Sequence, residues 1–394
     1  MKLFNTLSQS LEDFVPLDDR TVRIYVCGIT PYDTTHLGHA FTFVSFDTLI
    51  RYLEFRGYSV NYVQNVTDID DDILRKSREL GVTWDELGRC ETERYLRDMD
   101  ALNVRRPNVY PRASEETPAM IEIVQTLMAE GYAYESGGGV YFSVKRDPEF
   151  GHLARAIGLN DYASMLAIAN ERGNYPDDTR KRDPLDFVLW QAQAPGEPAW
   201  PSPWGPGRPG WHIECSAMSM KYLGPQIDIH GGGADLAFPH HTCEIAQSEH
   251  FTGKSPFSRI WMHTGMVHQD GEKMSKSLGN LTLVSDLLKT YSPDAIRITL
   301  QNHHYRYPWE CFPEDLQVAT ETVALFQRVR DIAGGQDGKD HLLHGQFIAA
   351  MENDLNTPQA MLLLRQAAES VAVNHDANCG AEILRLTKVL GLIV

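Results

Sequence analysis

Residues 23–63 constrain the fold more than any other stretch of the chain. Arg23 to Cys27 (Arg-Ile-Tyr-Val-Cys) is a β-branched and aromatic run that predicts a strand ending at Gly28. After a Thr-Pro-Tyr-Asp turn, apolar positions from Ala40 through Phe43, Phe46, Leu49, Ile50 and Leu53 recur at helical spacing. Gly57 closes that helix, and Ser59 to Val63 predicts a second strand. Strand, turn, helix and strand in that order form the first unit of a parallel α/β sheet, because parallel neighbours need a long crossover between them.

Beyond that unit, helices are expected from about Thr83 to Leu102 and from Ser114 to Glu130. Residues 150–185 have weak periodicity and many charges, as an insertion would, and Ala194 to Gly210 is a Pro- and Gly-dense ordered loop. Strands are predicted at Gln226–His230 and Arg259–His263. The polar, Gly-rich stretch Gly334–Gly345 suits a domain boundary. Thr357 is placed as an N-cap beside Pro358, and the tail from Phe347 onward reads as a helical bundle.

A length of 394 residues exceeds one ordinary domain, and 42% hydrophobic with 23% charged residues is a globular balance. No apolar run approaches the ~20 residues that span a bilayer, and the amino terminus has no signal-peptide core, so a cytoplasmic protein is expected. The six cysteines include no CxxC pair and are not a disulfide framework. The net charge of −17 argues against a large nucleic-acid footprint, although acidic proteins can carry local basic patches.

Four clusters carry chemistry. His36-Leu37-Gly38-His39 follows a strand and opens a helix, where free N–H groups favour phosphate and the glycine lets the backbone come close. Lys273-Met274-Ser275-Lys276-Ser277, between Gly271 and Gly279, puts two lysines in a loop where they can neutralise charge that builds on phosphates. Each match alone is weak; their order on these elements is specific. Cys27, Cys215, His240 and Glu244 supply thiolate, imidazole and carboxylate, the usual zinc donors, with His240 and Glu244 spaced to share a helical face. Spacing leaves His241 and Cys243 open as rival ligands, and buried cysteines beside a core histidine are the plain alternative. Gly231-Gly232-Gly233-Ala234-Asp235, after the strand ending at His230, permits close approach of a nucleotide, with Asp235 available to a ribose hydroxyl; a tight turn is the plain alternative. His263, His268, His303 and His304 are taken as structural or surface residues.

Tyr25-Val26-Cys27-Gly28, the stretch Gly207 to Met218, Asp228-Ile229-His230-Gly231-Gly232-Gly233 and Gly271 to Asn280 resemble the cysteinyl-tRNA synthetases almost from end to end. The resemblance implies an α/β class I synthetase core of Rossmann-like form, with ATP as substrate accompanied by Mg2+, and one zinc ion per chain that binds the thiol of substrate cysteine. By position it makes Cys27, Cys215, His240 and Glu244 the zinc ligands, and His36, His39, Lys273 and Lys276 the adenylation machinery. It places Cys27, Gly28, Thr30, Thr42, Asn65, Thr67, Trp211, Gly233, Asp235 and Val267 around the cysteinyl-adenylate. The implied organisation is a catalytic domain over residues 1–310, with a connective insertion at about 100–190, and a helical bundle over 311–394. A soft metal discriminates against Ser by a bond, where pocket volume alone supplies only ~1–3 kcal/mol per methylene.

A second branch of that superfamily is the cysteine ligases of mycothiol biosynthesis, which join cysteine to the amine of glucosaminyl-inositol. Cys27-Gly28-Ile29-Thr30-Pro31-Tyr32-Asp33-Thr34-Thr35 up to Ala40 resembles them, and Glu171-Arg172-Gly173-Asn174-Tyr175-Pro176 resembles their Glu-Arg-Gly-Gly-Asp-Pro signature. The stretch from Leu278 to Val394 has room for a helical bundle and not for a full anticodon-binding domain. The expected acceptor is therefore glucosaminyl-inositol ahead of tRNA. Against it, Glu244 keeps the synthetase pattern and Asn174 and Tyr175 depart from the ligase signature, which leaves tRNA, another amine or a carrier as the alternative acceptor.

Overall fold

The computed structural model describes all residues except 33–34, 270, 275–278 and 336, and gives only the backbone of Glu272 and Lys273. At its centre four parallel strands lie in the order Ser258–Thr264, Ile227–Gly233, Thr21–Ile29, Ser59–Val66. The Leu37–Phe55 helix connects the two strands nearest the amino terminus. A second sheet, antiparallel, is built from Ala133–Ser136, Gly139–Phe142, Phe187–Ala192 and Gly207–Pro209. The short helices His152–Ala156 and Tyr162–Glu171 interrupt it.

The pleat of the Thr21–Ile29 strand sorts its side chains between two cores. Val22, Ile24 and Val26 join the core shared with the Leu37–Phe55 helix and with the later helices Pro313–Ala333, His341–Glu352, Thr357–Asn374 and Ala377–Val389. Tyr25 and Cys27 face the other way, into a core with Trp190, Ile213, Cys215 and Trp261. Arg297, wholly buried, donates to the Leu390 carbonyl at 2.7 Å and the Leu102 carbonyl at 2.9 Å and pairs with Asp47, tying the carboxyl-terminal helices to the first. Among the described residues no helix is long and apolar enough to cross a membrane.

Several sequence expectations need correction. The first strand continues through Gly28 to Ile29, with a register shift after Val26; a Cβ at Gly28 would sit 1.7 Å from the Asn65 carbonyl oxygen, so only glycine permits this closeness. The glycine run is not a turn: Gly231, Gly232 and Gly233 are strand residues paired with Met262, His263 and Thr264. The reason is packing, since a Cβ on Gly231 would meet the Phe46 ring at 2.0 Å. An unanticipated helix, Asp71–Leu80, begins at an Asp70 cap and ends at Gly81 in the left-handed conformation. The Thr357–Asn374 helix is capped by Asn356 rather than Thr357, and Gly345 lies inside the His341–Glu352 helix.

Candidate active site

Three elements converge on Cys27. Cys215 comes from the first turn-and-a-half of the Trp211–Leu223 helix; His240 lies in an irregular turn where Phe238 has extended backbone; Glu244 sits in the first turn of the Thr242–Thr252 helix. The donor atoms of Cys27, Cys215, His240 and Glu244 all lie within 4.8 Å of one another and all four residues are buried. Cys27 Sγ is 3.8 Å from Cys215 Sγ and 3.6 Å from Glu244 Oε1, and His240 Nε2 is 3.1 Å from Glu244 Oε1. A second set, Cys27, His230, His241 and Glu244, meets the same test, so His241, the rival by type, is in reach.

Electrostatics here oppose charge on the donors. Burial, then Cys215 and Glu244, push the Cys27 thiol well up, and burial raises the Glu244 carboxyl. Burial keeps His240 and His241 neutral, with ring lone pairs to offer. Two thiols, an imidazole and a carboxylate in a dry pocket fit a soft divalent cation such as zinc, which is the group that would reverse those shifts. The surrounding shell is ordered as a metal site requires. His240 Nδ1 is 2.9 Å from His212 Nδ1, leaving Nε2 toward the donors, and the Trp211 ring stacks on His240 at 4.4 Å. His241 Nε2 is 3.3 Å from Cys27 Sγ and its Nδ1 is 2.7 Å from His263 Nε2, while His263 Nδ1 reaches Thr6 Oγ1 at 2.8 Å. Glu244 Oε2 meets His230 Nε2 at 2.9 Å.

Cys27, Cys215 and His240 form one end of an open cavity of roughly 1470 Å³. Gly28, Thr30, Asn65 and Thr67 form the adjoining wall: Gly28 N–H donates to Asn65 Oδ1 at 2.9 Å, and the Thr30 and Thr67 hydroxyls meet at 2.8 Å. Trp211, Gly233, Asp235 and Val267 also line the cavity, as does Thr42, whose hydroxyl is 2.7 Å from that of Thr264. At the far side His36 caps the Leu37–Phe55 helix, accepting from His39 N–H at 3.4 Å, and the two rings stack at 3.8 Å. Leu37 N–H donates to the Thr282 carbonyl at 2.8 Å and Val284 N–H to the Thr35 carbonyl at 3.1 Å, fastening the segment after the lysine loop to the start of this helix. Glu272–Lys273 is a short strand paired with His268–Gln269; the Lys273 side chain and all of Lys276 lie outside the described residues.

The structure thus brings the four donors together and lines the cavity with every other candidate whose side chain is described; Glu244 alone of the donors is buried behind the cavity wall. Sequence reasoning missed His212, His230 and His263. The first is next to Trp211, and the other two occupy strand positions near the glycine run, but nothing in their spacing announced a shared centre.

Residues 13–321 match the family described as the tRNA synthetases class I (C) catalytic domain. The chain is 46% identical over 384 residues to the cysteine–tRNA ligase of Thermodesulfovibrio yellowstonii, covering 92% of this chain and 77% of that one. It is 44% identical to that of Dehalococcoides mccartyi, covering 100% and 86%, and 45% identical to that of Legionella pneumophila subsp. pneumophila, covering 100% and 85%. Among solved structures, Mycobacterium tuberculosis methionyl-tRNA synthetase in complex with methionyl-adenylate aligns with TM-score 0.66 at 15% identity, covering 94% of this chain and 89% of that one. At that identity the likeness speaks for the fold, the class I Rossmann-like α/β fold. The parallel sheet, the histidine-capped helix beside it and these matches together assign the chain to the class I tRNA synthetases, in the family of the cysteine–tRNA ligases.

Proposed function

We propose that this chain is a ligase that activates cysteine with ATP to cysteinyl-adenylate and transfers the cysteinyl group to tRNA. One observation carries the activation step: Cys27, Cys215 and His240, with Glu244 within 4.8 Å of them, and the His36–His39 helix start border the same cavity. A zinc ion held by those donors would bind the substrate thiolate and set the specificity against Ser. The chain's own residues do the rest. The wall of Gly28, Thr30, Asn65 and Thr67 confines the amino acid, and Asp235 takes the ribose. The cysteine carboxylate attacks the α-phosphorus of ATP, supplied with Mg2+, and pyrophosphate leaves past the positive end of the histidine-capped helix and its two imidazoles. Lys273 and Lys276 would neutralise the charge that moves onto pyrophosphate.

The cysteine–tRNA ligase relatives at 44–46% identity support tRNA as the acceptor and give no support to glucosaminyl-inositol, the acceptor expected from the Cys27–Ala40 and Glu171–Pro176 segments. In this reading the 3′-terminal hydroxyl of tRNA attacks the adenylate carbonyl and AMP leaves. The test is a paired assay with ATP, cysteine and either tRNA or glucosaminyl-inositol, preceded by cysteine-dependent ATP–pyrophosphate exchange. The expected result is cysteinyl-tRNA whose formation falls steeply with added salt, as counterions compete for phosphates. Cysteinyl-sugar without charged tRNA would overturn the acceptor; absence of exchange with any amino acid would overturn the activation.

A further inference from the structure

The segment Glu171–Pro176 stood out in the sequence as a mark of the acceptor, and its geometry assigns it different work. Arg172 ends the Tyr162–Glu171 helix, with its backbone N–H on the Ala169 carbonyl. Gly173, at φ +90°, allows the sharp exit that follows, and Asn174 Nδ2 anchors the loop on the Pro184 carbonyl at 3.1 Å. The Arg172 side chain crosses from this insertion to the turn between the glycine-run strand and the Thr242–Thr252 helix. There one guanidinium nitrogen, Nη1, donates to both the Asp235 and the Phe238 carbonyls.

These two carbonyls need such a donor. The turn is irregular, and Phe238, at φ −141° and ψ 135°, cannot join a helical ladder. Among the described residues no carboxylate forms an ion pair with Arg172, so its charge is directed at the two carbonyls, where charged donors bond most strongly. The turn carries Asp235 at one end and Pro239-His240 at the other, and Arg172 itself lines the cavity between them.

We propose that Arg172 is a positioning residue: it clamps the Asp235–Phe238 turn to the insertion and thereby sets Asp235 and His240 in register with each other. This rests on the proposed adenylation, in which Asp235 meets the nucleotide and His240 serves the cysteine side.

The test compares Arg172→Met and Arg172→Lys with the full-length protein, using Arg146→Met as a control. Arg146 is an exposed arginine of the same insertion that donates to the Gly131 carbonyl away from the cavity. Backbone hydrogen exchange over residues 234–242 reads the clamp without any assay of activity. The expected result is exchange at least ~10-fold faster there in Arg172→Met, which corresponds to about 1.4 kcal/mol of lost local stability. Zinc content should be retained, kcat for pyrophosphate exchange should fall by at least ~10-fold, and Arg172→Lys should recover part of both. Arg146→Met should match the parent protein. Unchanged hydrogen exchange in the turn would overturn the proposal, and so would a loosened turn with pyrophosphate exchange within twofold of the parent. Were the parent protein itself inactive in pyrophosphate exchange, the adenylation reading would fail, and the hydrogen-exchange comparison would still decide the clamp.

Discussion

Asn65 donates a hydrogen bond to the sulfur of Cys215, Nδ2 to Sγ at 3.4 Å, from a side chain with no exposed surface. Its other amide atom accepts from Gly28 N–H, so the side chain is fixed in orientation from both ends. A donor aimed at a sulfur directs its lone pairs and holds it in place. Asn65→Ala removes both effects, and the expected outcome is zinc affinity lower by ~10–100-fold, the usual cost of losing a partner that orients a ligand. Competition with a chelator of known affinity measures it; an unchanged affinity would show that Asn65 serves Gly28 alone.

His36 has two separable duties, and two substitutions separate them. As a helix cap it accepts from His39 N–H; as an imidazole lining the cavity it would, in the proposed adenylation, meet the phosphates. Asparagine is among the best caps, whereas alanine cannot accept, so His36→Ala should lose about 1 kcal/mol of stability and His36→Asn much less. Both should slow pyrophosphate exchange by roughly two to three decades, as lost transition-state donors do. Thermal melts run beside exchange assays distinguish the duties; an active His36→Asn protein would reduce His36 to a cap.

Asp70 gives a pH dependence whose sign can be worked out. Burial lifts its carboxyl to about 6 from an ordinary 3.8, although its cap bond to Asp72 N–H pulls the other way. Between those values the folded chain keeps a proton that the unfolded chain has released. The stability present below about 3.8 is therefore lost as pH rises through about 6. Asp70→Asn keeps a capping oxygen and cannot ionise. Urea unfolding should find the variant more stable by about 1–3 kcal/mol above pH 6.5, with the gap closing toward pH 4. A gap that stayed constant with pH would mean that the Asp70 carboxyl titrates alike in the folded and unfolded chains, against the raised value.

The first parallel unit was legible in the sequence because its signals are local: a β-branched run, helical periodicity to Leu53, and Gly57. The donor set was legible through resemblance, since Cys27 and Cys215 are distant in sequence and only the fold makes them neighbours. What escaped depended on contacts between elements. The glycine run is a strand because Phe46 presses against Gly231, and a residue nearly two hundred positions away leaves no trace in local pattern. The Asp71–Leu80 helix escaped because it is short and largely polar, with only Ile73, Leu74 and Ser77 buried. His263 was set aside as structural or surface; its strand buries it, and its role follows from which ring it faces.

That facing has a further meaning. Burial holds the His263 pKa down at about 3 and that of His241 well below its ordinary value, so each ring carries a single N–H. A row of such rings has a direction. If Cys27 is a thiol that donates to His241, then His241 donates to His263 and His263 to the Thr6 oxygen. If Cys27 is a metal-bound thiolate, the Thr6 hydroxyl points inward and every donor behind it turns round. Loading a cation at one end would thus swap the tautomer of both imidazoles, and the nitrogen NMR shifts of His263 would report the state of a sulfur that it never touches.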